Sequence, residues 1–124
     1  MKFLCLAYEE EVKLNALSKA DWDALRAETL AYVEKIRTMG VLIAAEPLQS
    51  VRTAATVRVR QNKVSIVDGP FAETKETLGG YFLIEVRNRD EALKVAAEWP
   101  SARLGSIEVR PLEEGLPQDR RYAQ

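Results

Sequence analysis

The sequence predicts an α+β domain in which an antiparallel sheet carries its helices on one face. Three observations predict it. Short segments with a two-residue apolar period surround two segments with a three- and four-residue period, so strands and helices share the chain. Their order is strand, helix, strand, hairpin, strand, helix, strand. The 124 residues suffice for one compact core and leave no room for a second.

Phe3 to Tyr8 is apolar on both alternating faces, as expected of a central strand covered on both sides. Ser18-Lys19-Ala20-Asp21 offers a hydroxyl cap with a carboxylate three residues on, and Trp22, Leu25, Thr29, Val33 and Ile36 then form one helical stripe. This helix covers 18–39 and stops at Gly40, which reaches the left-handed conformation of a helix end without steric penalty. Val41 to Ala45 is the next strand, closed by Pro47.

Val57 and Val59 point away from Arg58 and Arg60, and Val64 and Ile66 away from Lys63 and Ser65, which is the pattern of a hairpin turning at Gln61-Asn62. Asn accepts positive φ and Gln resists it, so the turn type stays open. After a loop over 68–80, Phe82, Ile84 and Val86 mark a strand over 81–87. Asn88 with Glu91 caps a helix whose buried stripe is Ala92, Leu93, Ala96 and Ala97, and Pro100 ends it. Ile107 and Val109 define the last strand, stopped by Pro111. The domain thus covers 1–112, and 113–124 is a polar tail.

With the hairpin as an insertion, this is the order of a ferredoxin-like β-α-β-β-α-β unit. Such a sheet leaves its second face apolar and uncovered. Burial of that face against a second copy predicts a homodimer.

Charge and composition narrow the partners. Eighteen basic and 19 acidic side chains alternate along the chain for a net charge of −1, so no field gathers nucleic acid or an anionic membrane surface. The first apolar run meets Glu9, Glu10 and Glu11 too soon for a signal peptide, and a cytoplasmic protein is expected. Cys5, the one cysteine, lies in that run and is expected to be buried and inert. With no histidine, neither the usual zinc site nor a haem with a proximal imidazole can be assembled, and no short acidic cluster suggests magnesium. No metal or cofactor is expected. Gly79-Gly80 does not lead into a helix with a lysine, so it is not a phosphate loop.

The run Asp68-Gly69-Pro70-Phe71-Ala72-Glu73-Thr74-Lys75-Glu76-Thr77-Leu78-Gly79-Gly80-Tyr81 resembles the signature of the YCII-related, or DGPF-motif, family. The similarity extends from Met1 to Pro111, with Thr56-Val57-Arg58-Val59-Arg60 before the motif and Ser106-Ile107-Glu108-Val109-Arg110-Pro111 after it. The resemblance implies a dimeric α+β barrel of ferredoxin-like subunits with a small-molecule pocket between helices and sheet. In the wider family a His-Asp pair is the suggested acid/base couple, and some members accompany extracytoplasmic-function sigma factors, which implies a sigma-factor-type protein partner as an alternative. This chain has no histidine, so that couple is excluded. Thr29 or Glu28 stands near the place where relatives carry the histidine on their first helix.

The remaining chemistry falls on Asp68, backed by Glu73, Lys75, Tyr81, Tyr8, Glu46 and Arg103. Desolvated in an apolar pocket, Asp68 would serve as a general base. Read as turn chemistry, its side chain caps backbone N–H groups while Gly69 supplies flexibility and Pro70 sets φ. Phe71 is either an anchor for the loop or a ring that stacks on substrate. Lys75 pairs with Glu73 or Glu76, or reaches an anionic ligand. The Thr29 hydroxyl lines a pocket or bonds a carbonyl one turn back. Two functions follow: a cofactor-free enzyme of proton transfer, isomerase or lyase in type, or a non-catalytic dimer that binds a ligand or a protein.

Overall fold

The structure, a computed structural model, describes residues 1–114. Its elements are β1 (Lys2–Glu9), α1 (Glu11–Asn15), α2 (Lys19–Thr38), β2 (Leu42–Pro47), β3 (Ala55–Arg60), β4 (Lys63–Asp68), β5 (Thr77–Glu85), α3 (Arg89–Ala97) and β6 (Ser106–Pro111), with 3-10 turns at Val51–Thr53 and Pro100–Arg103. Four strands form one antiparallel sheet in the order β2-β5-β1-β6, while β3 and β4 pair only with each other. This is the ferredoxin-like arrangement with an inserted hairpin. The expected tail over 113–124 falls mostly outside the described residues. Among the described residues no helix is long and apolar enough to cross a membrane.

Local chemistry sets the helix ends. The Ser18 hydroxyl accepts from the Asp21 N–H at 3.1 Å, and at the other end the Val41 N–H reaches the Ile36 carbonyl at 3.0 Å over Gly40, whose φ is +74°. Asn88 Oδ1 accepts from the Glu91 N–H at 2.9 Å and starts α3. Gln61 and Asn62 both take positive φ, 51° and 63°, as a two-residue hairpin turn with the twist of its strands requires.

The core lies between the sheet and the helices. Phe3 and Cys5 of β1, Phe82 and Ile84 of β5, Ile36 of α2, Ala92 and Ala96 of α3 and Trp99 form one cluster. The Phe82 ring stacks on Trp99 with centroids 3.9 Å apart and 8° between planes, and Tyr32 meets Trp99 edge-on at 6.0 Å. Burial raises the Cys5 thiol to about 12, so it carries no thiolate. On the opposite face Leu4, Leu6, Tyr8, Tyr81 and Leu83 are only half-buried, because no helix covers them.

Three expectations need correction, and one helix carries no signal in the sequence. β1 is central but covered on one side only within the single chain. β5 begins at Thr77, four residues early, because pairing with β1 and β2 carries Leu78-Gly79-Gly80 into the sheet. The stripe of α3 is Ala92, Val95 and Ala96, whereas Leu93 and Ala97 are exposed, since the helix is rolled to bring Val95 onto the core. Helix α1, five residues inside an acidic stretch, has no buried residue and hence no apolar pattern to announce it.

The stacked pair at the centre predicts a clear stability loss. Phe82→Ala should cost about 3–5 kcal/mol, measured as a drop in unfolding free energy by denaturant titration. A cost under about 1 kcal/mol would mean the ring does not hold the helix layer to the sheet.

Candidate functional site

Helix α2 buries Ile36 near its C-terminal end, while Trp22 near its start is 45% exposed. The beginning of α2 therefore stands away from the core and leaves a cavity of about 570 Å³ against the end of the sheet. That volume suits a small organic molecule. Glu9 and Gly79 form its sheet wall, Trp22 and Lys19 its helix wall, and Glu11 and Arg52 its rim.

Glu9 follows Phe3, Cys5 and Ala7 along the covered face of β1 and brings a carboxylate to the edge of the core. Gly79 leaves the room this carboxylate occupies, for a Cβ there would stand 2.5 Å from Glu9 Oε2 and turn the side chain aside. A bulge between Ala7 and Tyr8 leaves Gly79 opposite no residue of β1. Gly80 lies against backbone instead: the Glu46 carbonyl oxygen is 3.0 Å from where its Cβ would be, a tight contact with the β2 strand.

Two carboxylates of this cavity are pushed in opposite directions. Burial raises the Glu9 carboxyl above the usual carboxylate range, the Ser101 hydroxyl tempers the rise, and the nearby Glu11 charge adds to it. Ser101 Oγ is buried and completes no hydrogen bond, so its help to the anion is small in this geometry. Glu11 is lowered instead, because its carboxylate accepts from the Val51 N–H and the Ser50 hydroxyl, each at 2.9 Å. Those bonds also hold the 3-10 turn at the rim. Glu9 therefore holds its proton to higher pH than Glu11 does, the division seen where one acid exchanges protons and its neighbour stays charged.

A second cavity of about 550 Å³ lies across the segment 48–50, lined by Tyr8, Thr56, Pro70, Phe71, Thr77 and Leu78 among others. Of the expected site residues, Tyr8, Pro70 and Phe71 meet here, and Phe71 is 80% exposed. Asp68 is exposed at the end of β4 and lines neither cavity, so the enclosure its general-base reading needs is not present in the single chain. Nor does its side chain cap the turn. The Gly69 N–H goes to the Ala54 carbonyl at 2.7 Å, and the Thr56 hydroxyl donates to the Gly69 carbonyl at 2.8 Å. Gly69 takes φ +104°, which demands glycine.

The other candidates are scattered. Lys75 pairs with Glu10 at 3.6 Å rather than with Glu73 or Glu76, since the motif folds back over the end of β1. Glu73 is exposed with no ion pair among the described residues. Tyr81 lies on the uncovered sheet face opposite Leu6 and Glu46, and lines neither cavity. The Thr29 hydroxyl donates to the Leu25 carbonyl one turn back at 2.8 Å. Its neighbour Glu28 holds Arg103 through two bonds of 2.8 and 2.7 Å, fastening α2 to the turn that carries Ser101. No three potential metal ligands gather among the described residues.

Glu9 and Glu11 give no site signal in the sequence because three consecutive acids read as a solvated break. The usable signal was the alternation continuing from Phe3 through Ala7 to Glu9, which puts this acid on the covered face.

A raised carboxyl makes the stability depend on pH with a definite sign. The folded chain holds the Glu9 proton to higher pH than the unfolded chain does, so its contribution is greatest in acid and is lost as pH rises through the raised value. Glu9→Gln should therefore raise the thermal midpoint near neutrality and lose that advantage below the ordinary glutamate value of about 4.3. A variant equally displaced at every pH would show that Glu9 is not buried as described.

Comparison with known proteins follows the fold. The model of the YCII-related domain matches residues 1–115. Uncharacterized protein R00369 of Rhizobium meliloti (strain 1021) is 37% identical over 114 residues, covering 90% of this chain and 92% of that protein. The structure of 5-chloro-2-hydroxyhydroquinone dehydrochlorinase (TftG) from Burkholderia phenoliruptrix AC1100, in complex with 2,5-dihydroxybenzoquinone, is similar with a TM-score of 0.55 at 18% identity, over 96% of this chain and 100% of that one. Motif, sheet order and these matches agree, and the chain belongs to the YCII-related family.

Proposed function

We propose that this chain is a cofactor-free enzyme that moves a proton on a small organic molecule held between the start of α2 and the end of the sheet, with Glu9 as the acid/base group. The observation that carries this reading is the pair of carboxylates in one cavity, Glu9 raised by burial and Glu11 lowered by its hydrogen bonds. A carboxyl brought nearer to neutrality both accepts and returns a proton, which a chain without histidine must obtain from another side chain. Lys19 and Arg52 line the same cavity and offer positive charge to an oxyanion or enolate, and the Trp22 ring gives a flat surface for an unsaturated substrate. The similar fold of a dehydrochlorinase bound to a hydroxylated quinone supports an enzyme and suggests an acidic, hydroxylated ring as the substrate class. In an elimination the proton passes to Glu9 while the leaving group departs with its electron pair.

A second reading is a non-catalytic dimer that binds a ligand or a sigma-factor-type protein. It is favoured by the exposure of Asp68 and Phe71 in the motif.

The two readings part on one comparison, with chloride release from 5-chloro-2-hydroxyhydroquinone as the first assay and 2,5-dihydroxybenzoquinone as the binding probe. Glu9→Gln should lower kcat by about 10²–10⁴-fold with little change in binding of the quinone. Asp68→Asn should leave kcat near its original value. The opposite ranking would return the proton to Asp68, and binding without turnover by the unaltered chain would favour the non-catalytic reading.

A further inference from the structure

Beside Glu9 lies a buried hydroxyl with nothing to bond. Ser101 is 7% exposed, and its oxygen finds no hydrogen-bond partner among the described residues. A serine in a turn ordinarily gives its hydroxyl to a nearby backbone group. This one does not: the Leu104 N–H goes to the Ser101 carbonyl at 3.0 Å, and no backbone group takes the side chain. A buried hydroxyl left alone costs stability, so the neighbour able to complete it decides its role.

That neighbour is the Glu9 carboxyl. Ser101 follows the fully buried Pro100, and the chain then passes directly along the end of β1. A Cβ at Gly105 would collide with the Tyr8 carbonyl and stand 3.4 Å from Glu9 Cα, and Ser106 pairs with Tyr8. The stack of Trp99 on Phe82 fixes the start of the turn, and the bonds of Arg103 to Glu28 fix its end. Glu9 lines the first cavity and Ser101 does not, so the hydroxyl reaches the substrate space only through the carboxyl. The charged groups around Glu9 have other engagements. Glu11 of α1 holds Ser50 and Val51, Lys19 of α2 holds Asp23 at 2.7 Å, Lys13 and Lys75 hold Glu10, and the charge of Arg52 acts on Glu11.

We propose that Ser101 is the positioning residue of Glu9: its hydroxyl turns to donate to the carboxylate when the proton has left, and turns its acceptor side to the carboxyl when the proton returns. A hydroxyl carries one donor and two acceptor sites and rotates to suit, so a single side chain can serve both charge states. The acid/base group then keeps one place while its proton comes and goes. Burial raises the carboxyl and the hydroxyl opposes that rise, so without the oxygen the anion would face burial unaided. This role rests on the acid/base reading of Glu9, which it deepens.

Carbon-13 titration of the full chain tests it. In Ser101→Ala the midpoint of the Glu9 side-chain carboxyl should move to higher pH, because the donor to the anion is gone, and Ser101→Thr, which keeps a hydroxyl, should return it toward the original value. The acidic limb of the kcat profile for chloride release should move up in pH with that midpoint, while KM changes by less than about twofold. Should Ser101→Ala misfold, the unaltered chain decides the matter: the Ser101 Cβ resonance should step at the Glu9 midpoint and lose that step in Glu9→Gln. A Glu9 midpoint unmoved in folded Ser101→Ala, or a Ser101 resonance blind to the Glu9 titration, would overturn the role of Ser101 and leave the acid/base reading standing. A midpoint within the ordinary glutamate range would overturn the acid/base reading instead, and the bond between the two side chains would still stand or fall by whether the Ser101 resonance follows Glu9.

Discussion

The stack of Phe82 on Trp99 is the contact on which the rest of the molecule depends. Phe82 stands on β5, which lies between β1 and β2, so the ring is at the middle of the sheet. Trp99 stands where α3 gives way to the turn Pro100–Arg103. Joining them fixes that turn against the sheet. The turn carries Ser101 to the neighbourhood of Glu9, and Arg103 to Glu28 on α2. One aromatic pair thereby sets the distance between the helix layer and the carboxylate at the end of β1. The exposed Arg103–Glu28 pair adds orientation more than energy, since solvent screens it.

The catalytic reading grows from how that layer ends. Packing holds α2 at Ile36, and the start of the helix extends past the core. Space remains beneath it, and a chain that buried Trp22 fully would have none. Glycine at 79 makes room for the Glu9 carboxylate, and Glu11 anchors the Ser50–Val51 turn that separates the two cavities. The motif belongs chiefly to the second cavity. Its Asp-Gly-Pro-Phe residues shape the root of the hairpin, with Gly69 in a conformation open to little else.

Much of the architecture was legible in the residues. Apolar period and capping chemistry gave both long helices, with Ser18, Gly40 and Asn88 at their ends, and the alternation at 57–66 gave the hairpin. These features depend on neighbours close in the chain. The start of β5 is hidden in the sequence because glycines carry no hydrophobic signal, and only the strands on either side draw Gly79 and Gly80 into the sheet. The stripe of α3 is ambiguous in the sequence because adjacent apolar residues fit two helix faces, and packing into the core selects one.

By itself the sequence determined the class of fold, the lack of any imidazole and the motif that marks the family. All of these are properties of composition and of short-range order. Only the tertiary structure decided which acid is desolvated. Asp68 and Glu9 both stand at the end of an apolar run in the sequence. Burial is a sum over residues far apart in the chain, and it falls on Glu9, where β1, the glycine of β5 and the turn after α3 come together.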